Sequence, residues 1–145
     1  MREEMAVTLK MDIHALEAFL EREFTQVSGM FTLDSLTEDL LTVRLLVQEE
    51  HLRPGGTVSG PSMFALADVA MYLAILARLG PVALAVTTNC SIDFMRKPAA
   101  GVDLIAQARV LKMGRVLAVG DVLMFSEGQV SPAARASLTY SIPPA

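Results

Sequence analysis

The chain is short of the residues that several common chemistries need. It has one cysteine, Cys90, in 145 residues, so no internal disulfide can form. A lone thiol fits a reducing compartment. Its two histidines, His14 and His51, stand without a cysteine or an acidic cluster at ligand spacing, so no metal site is expected. Basic residues are outnumbered 12 to 16 by acidic ones, giving a formal net charge of -4. There is no block of Lys and Arg. Phosphate-backbone binding is mainly electrostatic, so nucleic acid is not an expected partner. A few placed cations could still hold a small anionic ligand. The chain has no G-x-S-x-G elbow and no phosphate-cradling glycine loop. Its opening residues, MREEMAVTLKMD, are interrupted by acids and carry no apolar core. No secretory leader is expected, and the cytoplasm is the default location.

What the chain has in quantity is apolar side chain. It is 52% hydrophobic and 19% charged, with a mean hydropathy of +0.45. The length suits a single domain over 1–145. A domain of this size buries roughly 70% of the surface its unfolded chain exposes. That leaves more apolar surface than one copy can hide, so a large subunit interface is expected.

Hydrophobic spacing predicts the elements. Residues 11–24 place Ile13, Leu16, Phe19, Leu20 and Phe24 three and four apart, an amphipathic helix with Asp12 as N-cap. Residues 39–48 alternate as a strand, with Leu41, Val43, Leu45 and Val47 on one face. Gly29 to Leu33 supplies a short partner strand. Residues 49–61, EEHLRPGGTVSGP, read as a loop, and Pro61 suits the first turn of a helix. The helix that follows, 62–78, is apolar almost all round, with Asp68 its only charge before Arg78. Such a helix should be buried on every side. It is slightly short for a bilayer span and carries a carboxylate, so no membrane is expected as a partner. Four strand-like segments follow at about 82–97, 102–113, 115–126 and 130–142. Turns are expected at Gly114 and at Ser126 to Gln129. Helix and strands are segregated, which defines an α+β domain.

The loop and helix together, R-P-G-G-T-V-S-G-P-S-M-F-A-L-A-D-V-A, resemble a motif of the PaaI-like (phenylacetate-pathway type) acyl-CoA thioesterases. That family shows N-x-x-G-x-x-H-G-G followed by L-x-D. The matching positions are Arg53, Gly56, Ser59, Gly60 and Pro61, then Leu66 and Asp68. Further on, SIDFMRKPAAGVDLIAQA and a Gly-Arg pair resemble the family's I-x-F-x-R-P, G-x-x-L-x-A and G-R. The resemblance covers about 40–142. It implies a hotdog fold: a curved antiparallel sheet around a long central apolar helix, here with an N-terminal helix in addition. It also implies an obligate dimer, alone or as a dimer of dimers, whose site takes one half from each subunit. Three positions depart from the pattern: Arg53 replaces the family's Asn, Ser59 its His, and Pro61 its second Gly.

The residues can be weighed beside the resemblance. In the family the acidic residue, here Asp68, activates water or attacks the thioester. A carboxylate inside an apolar helix is costly unless stabilised, and desolvation moves it toward general-base range. Alternatively, Asp68 ties down a neighbouring loop. Gly60 opens a helix whose early N–H groups lack partners, a natural oxyanion site, or it is an ordinary loop glycine. The resemblance gives Thr87 the hydroxyl that orients water. Strict alternation along 86–94 places Thr87 and Asn89 on one polar face and Cys90 on the opposite, apolar one. Thr87 and Asn89 could line a site or make cross-strand bonds. Ser59 is a hydrogen-bond donor to substrate or the N-cap of the helix. Arg53 can reach a thioester carbonyl or a CoA phosphate, or lie in solvent. Arg96, Lys97, Lys112 and Arg115 are further candidates for nucleotide phosphates. Phe64, with Met63, Met71 and Tyr72, supplies apolar surface for either a medium acyl chain or an aryl group.

The expected function is therefore hydrolysis of an acyl-CoA thioester, with coenzyme A part of the substrate and no other cofactor. The catalytic set is Asp68, Gly60 and Thr87. Arg53, Ser59, Pro61, Asn89 and Phe64 are the binding set. The three departures keep open a non-catalytic acyl-CoA-binding module. A hotdog hydratase ranks lowest, because no His lies close to Asp68 in the sequence.

Overall fold

The computed structural model describes residues 8–81 and 85–144. The first residues of the strand expected at 82–97 fall on 82–84, outside the described residues, as do residues 1–7 of the opening segment. Helix α1 runs Ile13–Glu23, with Asp12 as N-cap accepting from the Ala15 N–H at 2.9 Å. A short 3-10 turn leads into strand β1, Phe31–Leu36, which pairs with β2, Leu41–Leu45. The central helix α2 spans Gly60–Leu79. Strands β3 (Val86–Phe94), β4 (Leu104–Met113), β5 (Leu117–Ser126) and β6 (Ala134–Ser141) complete one antiparallel sheet in the order β1-β2-β4-β5-β6-β3. The turns fall where expected. The Gly114 N–H meets the Leu117 carbonyl at 2.8 Å, and the Gln129 N–H meets that of Ser126 at 3.0 Å. This is the hotdog fold, with α1 in addition.

Size matching explains why α2 lies so close to the sheet. The helix offers large side chains, among them Met63, Leu66, Met71, Leu73 and Ile75, all essentially inaccessible. The facing strands answer with Ala106, Ala108, Ala118, Ala134 and Ala136, also buried. Large against small lets the layers interdigitate at interior density. Gly120 is a point of close approach. A Cβ there would run into the Met71 thioether and stand 2.6 Å from the Arg109 carbonyl oxygen, which is backbone and cannot yield. On the outer face Arg44 ties the sheet edge together, bonding Asp34 (3.1 Å), Asp103 (3.2 Å) and Glu127 (2.9 Å).

Two expectations are corrected. Helix α2 is not covered on every side. Its C-terminal half, Ala70–Ala77, is buried, but Pro61, Phe64 and Ala65 are exposed, and Asp68 and Val69 are half-buried. By composition α2 could cross a membrane, yet most of it is buried within the fold. The sheet covers one side, α1 packs against the helix at Tyr72, and a stripe at helical spacing is left open beside the edge strand β3. Second, β3 does not alternate strictly. The register with β6 pairs Thr87 with Tyr140, then Asn89 with Thr139 and Cys90 with Leu138, so Thr88 is an extra, bulged residue. Opposed residues share a face. Thr87 therefore joins Cys90 and Ile92 on the helix side, opposite buried Tyr140, Leu138 and Ala136, whereas Asn89 points to the outer side. Cys90 is on the expected face but only half-buried, at the open edge.

Replacing Gly120 by Ala tests the helix–sheet approach. Overpacking at a site bounded by backbone should destabilise by about 1–3 kcal/mol. The thermal midpoint then falls by roughly 3–10 °C. An unchanged midpoint in a melting experiment would contradict the close packing of Met71 on Gly120.

Candidate active site

Asp68 sits on the open stripe of α2, halfway along the helix. The sequence suggested a carboxylate isolated among apolar neighbours. Instead it is half-buried and its Oδ1 is held from two strands. The Thr87 hydroxyl on β3 donates to it at 2.7 Å. The Tyr140 hydroxyl on β6 contacts the same oxygen and lies 2.8 Å from the Asp68 backbone carbonyl. The bulge at Thr88 makes the first of these bonds possible, because unbroken alternation from Cys90 would turn Thr87 away. Bulges near sites commonly re-aim a side chain in this way. Among the described residues Oδ2 has no partner, so it is the oxygen left to meet a ligand.

Sequence reasoning missed Tyr140. Alternation along β6 carries the signal, since Tyr140 shares a face with Leu138 and Ala136. Burial, and then the neighbouring Asp68 carboxylate, push its phenol well above the ordinary tyrosine range. Burial also raises Tyr72, helped by Glu23. The Cys90 thiol is likewise raised by burial and by Asp68.

Asp68, Thr87 and Tyr140 line a cavity of about 160 Å³ whose other walls include Leu20, Phe24, Val69 and Tyr72. A second cavity, about 410 Å³, lies elsewhere on the same chain and is lined by Arg53, Gly60, Met63, Phe94, Arg96 and Lys97. The candidate residues thus divide into two groups. Within the second, Ser59 is the N-cap of α2: its hydroxyl accepts from the Ser62 N–H at 3.3 Å and donates to the Ser62 hydroxyl at 3.0 Å. The Met63 N–H is taken by the Ser59 carbonyl at 3.0 Å. Pro61 has no N–H. The Gly60 N–H is therefore the unpartnered donor of this first turn. A side chain at Gly60 would meet only the ring of Phe94, at 3.4 Å.

The loop carrying Arg53 is pinned at its base. The Ser59 N–H donates to the His51 carbonyl at 2.8 Å, and the Arg53 N–H to that of Thr57 at 2.9 Å. His51 is buried and faces inward. Its Nδ1 accepts the Gln48 N–H at 2.8 Å, and its Nε2 has no partner. Phe64 is 40% exposed, next to Asp68 on the open stripe. Asn89 lies exposed on the outer face, apart from both cavities. Lys112 and Arg115 sit at the β4–β5 turn and line neither cavity. Among the described residues no three His, Cys, Asp or Glu side chains converge as a metal site would require.

Residues 55–133 match the model of the thioesterase superfamily. Human acyl-coenzyme A thioesterase 13 is 32% identical over 103 residues, covering 70% of this chain and 71% of that protein. Among solved structures, a candidate thioesterase from a Silicibacter species is 61% identical with a TM-score of 0.90, covering 97% of each chain. A mutant of the phenylacetic acid degradation protein PaaI from Thermus thermophilus is 28% identical with a TM-score of 0.69, covering 82% of this chain and 99% of that one. The chain belongs to the thioesterase superfamily.

The two raised tyrosines give an observable. A tyrosine ordinarily ionises near pH 10. If the folded state holds the proton to higher pH than the unfolded state, the stability this contributes is present below about pH 10 and is lost as pH rises further. Because both tyrosines of the chain are raised, tyrosinate absorbance should appear together with unfolding in an alkaline titration. Both tyrosines ionising near pH 10 with an unchanged circular-dichroism spectrum would contradict the packing of Tyr140 against Asp68.

Proposed function

We propose that the chain hydrolyses acyl-CoA thioesters at a site assembled from two copies, Asp68 from one and Gly60 from the other. The observation that carries this reading is the separation of the two groups on one helix. Eight residues along α2 correspond to about 12 Å of rise. An attacked carbonyl carbon must stand roughly 3 Å from its nucleophile, and its oxygen must be equally near the oxyanion donor. Direct attack by Asp68 cannot span that rise within one copy, and attack through a water would need water, carbonyl and donor strung out along the helix axis.

A two-fold pairing resolves this, since each copy then offers the same surface to the other. The available surface is the open stripe of α2 with Phe64, flanked by β3. Strand β3 is a nine-residue edge with exposed Val86 and Phe94, and exposed Met95 follows it. Uncovered edges of this kind invite pairing. The account extends to a dimer or a dimer of dimers.

In the proposed reaction, Oδ2 of Asp68 takes a proton from water as the water oxygen bonds to the thioester carbon. Thr87 and Tyr140 fix the carboxylate through Oδ1, a positioning role. The carbonyl oxygen becomes negative and is received by the Gly60 N–H at the positive end of α2. Collapse breaks the carbon–sulfur bond, and the leaving thiolate recovers the proton as coenzyme A thiol. Direct attack by Asp68, through an anhydride that water then cleaves, gives the same products. Arg53, Arg96 and Lys97 line the cavity beside Gly60, where they would face the phosphates of coenzyme A. No separate cofactor enters this chemistry.

A non-catalytic acyl-CoA-binding module is favoured by one observation: Ser59 is occupied as a cap and Pro61 lacks an N–H, so the oxyanion would have a single backbone donor from this turn. The two readings part on turnover. Asp68→Ala should lower kcat by about 10²–10⁴-fold, the range of a lost general base, with the elution volume on size exclusion unchanged. Thr87→Val should cost less, since Tyr140 still holds Oδ1. Free-thiol release from acyl-CoA that is the same in the Asp68 variant and the native protein would overturn the assignment.

A further inference from the structure

Beside Asp68, Thr87 and Tyr140, the cavity is lined mainly by apolar side chains, with Tyr72 the one further hydroxyl-bearing residue. Its walls form an aromatic series. Tyr140 touches Asp68. Tyr72 stacks on Tyr140 with centroids 6.1 Å apart and planes at 29°. Phe24 meets Tyr72 edge-on, 5.6 Å away at 86°. Phe24 therefore stands two rings from the carboxylate. It belongs to another element: it is the C-cap of α1, held by its backbone N–H on the Leu20 carbonyl at 2.8 Å. Helix α1 and its C-cap thus supply Leu20 and Phe24 to the cavity wall, with Tyr72 and Tyr140 between Phe24 and Asp68 in the ring series.

We propose that this cavity takes the acyl group of the substrate and that Phe24 is the residue that limits its length. The inference rests on the thioesterase reading above. A thioester whose carbonyl meets Asp68 has two ways to extend. The cavity with Arg53, Arg96 and Lys97 suits the phosphates, which leaves the apolar cavity for the acyl group. Its volume, about 160 Å³, compares with the roughly 150 Å³ apolar cavity that accepts benzene. The acyl group that fits is a single aromatic ring or a chain of about six carbons. A chain of about twice that length must displace Phe24.

The test uses the full chain and a ladder of acyl-CoA thioesters from acetyl to dodecanoyl, with phenylacetyl-CoA alongside, read by free-thiol release. The native protein should show its highest kcat/KM at about six carbons or one ring. It should fall at least about tenfold at dodecanoyl, since one misplaced methylene group already changes discrimination by that order. Phe24→Ala should raise the dodecanoyl-to-hexanoyl ratio of kcat/KM by at least about tenfold, and Phe24→Trp should lower it. Both variants should fold, because Phe24 is 37% exposed and its capping bond is made by the backbone. A ratio that stays the same in both variants, or a native preference for dodecanoyl, overturns the role of Phe24 while leaving the thioesterase reading intact. No turnover of any thioester by the native protein overturns both.

Discussion

The structure turns on an apolar helix that carries one carboxylate and is covered on only part of its circumference. Such a helix cannot face water along its length. The sheet meets the requirement on one side with a floor of alanines and Gly120, and α1 adds Leu16, Phe19 and Leu20 to the same core. What stays open is the stripe through Phe64 and Asp68. The candidate site lies on the stripe that the sheet and α1 leave uncovered.

The placement of Asp68 follows from the same constraint. On the sheet-facing side of α2 a carboxylate would be buried against alanine with no donor in reach. On the open stripe it keeps contact with solvent at Oδ2, while Thr87 and Tyr140 satisfy Oδ1 from two neighbouring strands. Hydrogen bonds to a charged acceptor are stronger than neutral ones, and anchoring one oxygen fixes the direction of the other. The bulge at Thr88 is the device that aims Thr87. Without it β3 would present Thr88 to the helix, one residue out of place.

Much of this architecture was legible in the sequence. The spacing of Leu16, Phe19 and Leu20 specifies α1, and Asp12 marks its start. The alternation of Leu41, Val43 and Leu45 specifies β2, and the turns at Gly114 and Gly128 set two hairpins. Asp68 stood out as the only charge in an apolar helix before Arg78. The rest was not legible, for definite reasons. A bulge at a threonine leaves no glycine or proline to mark it, so alternation put Thr87 and Asn89 on one face when the fold puts them on two. Tyr140 was hidden by distance, 72 residues from Asp68 along the chain. The open stripe of α2 could not be read either. Composition shows that a helix is apolar all round, but only the sheet's extent shows which side it fails to cover.

The central claim is that Asp68 and Gly60 act on one thioester from different copies. Its most direct test is complementation. Two inactive parents, Asp68→Ala and Gly60→Pro with Pro61 kept, are co-expressed with different affinity tags. The mixed dimer is isolated through both tags. The second parent removes the Gly60 donor at a helix position that favours proline. In the mixed dimer one site receives both defects and the other receives none. The account predicts that thiol release from acyl-CoA returns to about half the native value. A mixed dimer as inactive as its parents would contradict it, placing Asp68 and Gly60 in one copy's site or removing one of them from the chemistry.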